Sequence, residues 1–216
     1  MNLNKSAKYL IASDLIYAIT SLFAETFLVA YLFKITNENI TQISIYYITV
    51  QSIMGIGQIL LVVIIKNKPN LKNQILSLGI IFRAIFILCI ALLGSKIQTE
   101  FIIVAIFCGI SETFYWSTHE VIFTDVTKNG NRKEYMSIKK SLGTIISIVA
   151  PIILGSSIEL YSFSKIAIYV FLLSVIQIIL SLNIELEESK DSIANKYDIK
   201  KYIIELKKIK SKRLIN

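Results

Sequence analysis

The chain has 216 residues, 54% of them apolar and 18% charged, with a formal net charge of +8 and a mean hydropathy of +0.63. Such a composition excludes a soluble domain of this size. Lys and Arg collect in short gaps between apolar runs, so the positive charge reads as a topology signal rather than a nucleic-acid footprint. Cys89 and Cys108 lie inside apolar runs without metal-ligand spacing, which argues against a disulfide framework or a zinc site.

Apolar length predicts six spans, near 7–33, 42–65, 74–93, 99–125, 141–161 and 166–184. They lack the alternation of barrel strands, and a lipid-exposed backbone must satisfy its own hydrogen bonds, so all are expected to be helices. The fold class is therefore all-α: a polytopic bundle over residues 1–185, followed by a basic tail or linker at 186–216. The first run follows Lys5 and Lys8 and has no small-residue cleavage site, so it reads as a retained span rather than a signal peptide. Connections on the side of the N-terminus, together with both termini, hold nineteen of the basic residues, and the opposite connections hold three (Lys34, Lys96, Lys165). Both termini are expected in the cytoplasm.

Several spans carry charge, which is costly in hydrocarbon and calls for a partner or water. In span one, Asp14 and Glu25 are eleven residues apart, a spacing that places them on one stripe of an α-helix. Span two carries Gly55 and Gly57. Span three contains Arg83, and no Asp or Glu occurs between Glu38 and Glu100, so its counter-charge comes from another part of the chain. Span four holds the stretch FCGISETFYWSTHE, in which Glu112, Trp116 and His119 share a face and Glu120 flanks it. Counted from a turn near Ile97, Arg83 and Glu112 both sit ~21–22 Å along their helices, which predicts a structural intramembrane pair. Asp14, Glu25, Glu112, Trp116, His119 and Glu120 are then the candidate substrate or proton pathway, since one arginine cannot neutralise every carboxylate. Asp125 and Glu159 lie near span ends and are expected to reach water. Pro151 interrupts the hydrogen bonding of span five and predicts a kink, with Gly143 and Gly155 allowing close packing. The tail repeats Ile199, Tyr202, Ile203, Leu206 and Ile209 at helical spacing, consistent with a surface helix or a solvated linker.

These features resemble the N-terminal six-helix half of a major facilitator superfamily transporter. They are six spans with cytoplasmic ends, polar stripes on the first and fourth, a basic connection after the second and a proline in the fifth. The stretches DLIYAITSLFAETFLVAYLFKIT, GISETFYWSTHE and APIILG are similar to the YqgE-like transporters of Gram-positive bacteria. The resemblance implies two inverted three-helix repeats, with spans one and four as counterparts lining a cavity. It also implies a bacterial cytoplasmic membrane, which suits the Ile-, Lys- and Asn-rich composition. Two departures stand out: LLVVIIKNKPNLK carries no carboxylate in the connection after span two, and Ala150-Pro151 replaces the Gly-Pro of the family's antiporter motif, so antiport is not implied.

The expected function is secondary transport of a small solute by alternating access, coupled to protons, with this chain as one half. The acidic excess suits a cationic substrate, and Trp116 and Tyr115 supply an aromatic wall. A second six-helix half or a second copy would complete the path, with membrane lipid as the surrounding partner. The alternative is a truncated or non-transporting membrane scaffold. No cofactor, metal or nucleic acid is expected, nor an enzymatic activity: His119-Glu120 begins an HExxH motif, but Phe123 stands where its second histidine belongs, and no P-loop occurs.

Overall fold

The computed structural model describes residues 3–127 and 130–185, and the regular elements among them are all helical. Helix α1 (Lys5–Ile35) opens on Asn4, whose side chain accepts from the Ala7 N–H at 2.7 Å. Within it, Phe23–Phe27 forms a π turn. The chain then turns through Asn37 and Glu38, with φ of 53° and 63°, into α2 (Ile40–Asn67), capped by Asn39. Pro69 starts a single 3-10 turn, where its missing N–H leaves no hydrogen bond unmade, and α3 (Lys72–Leu93) follows. Gly94, at φ 52°, ends α3 in a conformation that suits glycine, and α4 (Ile97–Val126) begins after one further 3-10 turn. The last two helices are α5 (Arg132–Leu160) and α6 (Phe163–Leu182).

By length and apolarity, five stretches of the described residues can cross a membrane. The third, Pro69–Val126, has 58 residues and contains both runs expected as spans three and four. Within it α3 and α4 fold back as an antiparallel hairpin, placing Lys72 beside Asp125, Gly79 against Tyr115 and Arg83 against Glu112. The chain is thus an all-helical, multi-pass membrane protein. Helix α5 begins at Arg132, well before the apolar run at 141, because RKEYMSIKK is polar without being a poor helix former. The basic tail expected at 186–216 lies outside the described residues.

Helix α4 is central: it packs on α2 and α3 and touches α1, while α3 lies on α6 and α1 lies on α6 and α5. Three glycines allow this proximity. A Cβ at Gly79 would stand 2.7 Å from the Tyr115 backbone nitrogen, one at Gly109 would stand 3.0 Å from the Val50 carbonyl oxygen, and one at Gly57 would meet Thr113 Cγ2 at 2.4 Å. The glycines expected to pack behave differently. Nothing lies within 4 Å of a Cβ at Gly143, so its neighbourhood is open, and one at Gly155 meets only the Phe27 ring, at 3.7 Å. Pro151 sits inside α5 without ending it. Two large apolar cores result, one around Phe23, Phe86 and Phe163 and one around Leu10, Ile80 and Ile122, with a smaller cluster around Leu61, Ile65 and Ile75. The second surrounds the buried polar groups.

Candidate functional site

The site is built on α1 and α4, which carry the same short pattern: Asp14-Leu-Ile-Tyr17 and Glu112-Thr-Phe-Tyr115. A three-residue step puts each tyrosine about one helical turn from its carboxylate. The tyrosines are exchanged between helices. Tyr17 donates to Glu112 Oε2 at 2.5 Å, and Tyr115 donates to Asp14 Oδ1 at 2.9 Å. Their rings stack with centroids 3.8 Å apart and planes 4° from parallel, so the two carboxylates are joined by one aromatic bridge.

Glu112 is buried and forms an ion pair with Arg83, which is itself only 1% exposed. The Trp116 indole N–H donates to Glu112 Oε2 at 2.8 Å, and the guanidinium lies over the Tyr17 ring, 4.8 Å from its centroid. Two neutral donors and a cation therefore hold this charge within the bundle, which is the condition for burying it at all. Gly79 sits one turn before Arg83, and the contact it allows with Tyr115 brings the hairpin close enough for Arg83 to reach.

Asp14 is equally buried and gathers donors from two helices. His119 Nε2 lies 2.7 Å from Oδ1, while the Tyr135 hydroxyl and the Lys139 ammonium reach Oδ2 at 2.8 and 2.7 Å. His119 is thus tied to Asp14 rather than standing free on the polar face, and its Nδ1 points to Glu120 Oε1 at 3.6 Å. Glu120 is exposed.

Glu25 departs from the stripe expected with Asp14. It occupies the π turn, whose wider winding alters the register between the two positions, and its side chain is exposed where that of Asp14 is buried. Its carboxylate accepts from Ser21 Oγ at 2.6 Å. Glu25 borders a cavity of about 260 Å³ between α1, α2 and α4, shared with Tyr46, Tyr47, Met54, Glu112 and Trp116. Asp125 does not simply reach water: it pairs with Lys72, locking α3 to α4 at the end of the bundle that carries the N-terminus.

Sequence reasoning missed Tyr17, Tyr135, Lys139 and the Lys72–Asp125 pair as parts of these networks. The repeated carboxylate-x-x-Tyr pattern was a usable signal for Tyr17. Tyr135 and Lys139, four residues apart on a helix face, were a weaker one, hidden because Lys139 also fits a cytoplasmic loop.

Buried, partnered carboxylates beside an aromatic cavity in a multi-pass helical protein define the class as a membrane protein with a polar interior. A family model described as Major Facilitator Superfamily matches residues 11–215, and the chain belongs to that superfamily. Its members are membrane transporters rather than enzymes, handling small solutes within lipid. No curated protein and no solved structure matches the chain.

Proposed function

We propose that the protein carries out proton-coupled secondary transport of a small cationic solute, with its helices forming one half of an alternating-access path. The observation that carries this reading is the cavity between α1, α2 and α4. Glu25 and Glu112 both line it; Glu112 forms an ion pair with Arg83, whereas Glu25 is exposed and the hydrogen bond its carboxylate accepts comes from Ser21. Glu25 is left to receive a positive group, and Trp116, Tyr46 and Tyr47 offer ring faces to the same guest. The cavity falls slightly below the range of drug-sized pockets, roughly 300–1,000 Å³, which suits a small amine.

In this reading α1 to α6 make six crossings as two inverted three-helix repeats. The exchanged carboxylate-x-x-Tyr motifs on α1 and α4 support such a relation between those helices. The basic residues favour cytoplasmic termini in a bacterial membrane. A second six-helix half, from a partner or another copy, closes the path. Asp14, His119 and Glu120 serve protons, while Glu25, Glu112 and Trp116 contact the solute.

The test is reconstitution into liposomes enclosing a pH-sensitive dye, followed by a panel of primary and quaternary amines. At least one amine should drive a proton flux, and Glu25→Gln and Glu112→Gln should each abolish it. A folded, inserted dimer that moves no solute would favour the scaffold reading, and flux unchanged in both variants would remove these residues from the site.

A further inference from the structure

We propose that Glu120, His119 and Asp14 form a proton relay, and that a proton delivered to Asp14 unlatches the leading segment of α5 from α1 and α4. The inference rests on the proton-coupled reading above.

The three groups form a graded series. The Glu120 side chain is 67% exposed, that of His119 is 2% exposed and that of Asp14 is 2% exposed, so an exposed carboxylate and a buried one flank a buried imidazole. His119 Nε2 is at hydrogen-bond distance from Asp14, 2.7 Å, while Nδ1 has no hydrogen-bond partner among the described residues and faces Glu120 at 3.6 Å. Rotation of the exposed Glu120 side chain closes that gap. Imidazole suits the middle position because one nitrogen accepts while the other donates. Protonated Glu120 passes its proton to Nδ1, and the Nε2 proton passes to Asp14 Oδ1. His119 is left neutral in its other tautomer, Glu120 returns to carboxylate, and Asp14 has gained one proton.

The consequence falls on α5. Its buried residues are Tyr135, Ala150 and Leu154, so the apolar anchorage of its leading segment is confined to Tyr135 and the partly buried Ile138 beside it. Tyr135 and Lys139 both bond Asp14 Oδ2, and further holds at this end include the Tyr135 ring against Phe123, centroids 4.9 Å apart, Ile138 on the same apolar core, and Arg132 over Phe123 at 5.0 Å. A neutral Asp14 no longer attracts the Lys139 ammonium, whose side chain is already 33% exposed and swings to water. Pro151 marks the far limit of the released segment, where a hydrogen bond is already missing. The ionisable groups facing Asp14 are Tyr115, His119 and Glu120 from α4 and Tyr135 and Lys139 from α5. Helix α6, packed on α1, presents Ser174, Gln177 and Ser181 among its buried polar residues, none of which titrates.

The full chain in lipid nanodiscs tests this, with nitroxide labels at the exposed Lys8 and Ser137 and with Cys89 and Cys108 replaced. Acidification should lengthen the label distance in the parent. Asp14→Asn and Lys139→Met should hold the long distance at every pH. Trp116, the single tryptophan, lies 5.6 Å from the His119 ring, so after a rapid acid jump its fluorescence should dip transiently, while the imidazole holds both protons, and recover once Asp14 has taken one. His119→Gln and Glu120→Gln should slow the opening of α5 by about tenfold or more. Where Asp14→Asn fails to fold, Lys139→Met and Tyr135→Phe carry the latch test. A short distance retained in the folded latch variants, or opening at the parent rate in both relay variants, would overturn the proposal. Amine-driven proton flux persisting alongside that result would leave the transport reading in place.

Discussion

At the level of single residues, the Arg83–Glu112 pair is asymmetric, and the asymmetry is testable. Removing Glu112 strands a guanidinium that is 1% exposed and cannot give up its proton, at an expected loss of about 3–5 kcal/mol. Removing Arg83 leaves a carboxyl that can take up a proton and still accept from Tyr17 and Trp116. Thermal unfolding in detergent should therefore rank Glu112→Met as more damaging than Arg83→Met, and the double variant should recover much of the loss; equal single losses that simply add would contradict the pairing. Helix rise alone put Arg83 and Glu112 at matching depth, because a hairpin with a short turn converts sequence distance into height. The partners of Asp14 were not legible in this way. Tyr135 and Lys139 reach it from a helix more than a hundred residues later in the chain, and no spacing rule relates the two.

At the level of elements, the α3–α4 contact depends on Gly79. A methyl group there would meet backbone, 2.7 Å from the Tyr115 nitrogen, and backbone cannot rotate aside. Gly79→Ala should thus force the hairpin apart and lower the unfolding temperature, despite alanine's advantage of roughly 1 kcal/mol in helix propensity. If it instead stabilises the protein, Gly79 is not what permits the close approach. Apolar length made the helices readable, since hydrocarbon thickness dictates how long a run must be. The π turn at Phe23–Phe27 was not readable, because no residue type requires one and only the surrounding packing reveals where the winding widens. That turn carries Glu25 away from the stripe that ideal α-geometry predicts.

At the level of the whole molecule, α2 and α5 present faces with few internal contacts. A Cβ at Gly55 or at Gly143 would have nothing within 4 Å. Gly55→Leu and Gly143→Leu are therefore not expected to destabilise the chain itself, and helix propensity favours each by up to roughly 1 kcal/mol. In the proposed two-half arrangement the same substitutions should abolish amine-driven flux by blocking approach of the second half. Flux at the parent level in both would mean that these faces meet lipid instead.

What the sequence determined by itself follows from the solvent. Hydrocarbon demands long apolar helices and penalises unpaired charge, so the all-helical class, the approximate positions of the helices and the short list of charges within apolar runs could be read from residue order alone. Tertiary structure decided which charges belong together. Asp14 was assigned to Lys139, Tyr135 and His119, Glu112 to Arg83, Tyr17 and Trp116, and Glu25 was left bordering the cavity. The physical reason is that pairing acts over a few ångströms across helices, and only packing, set by glycines and by local changes in winding, brings such groups within reach.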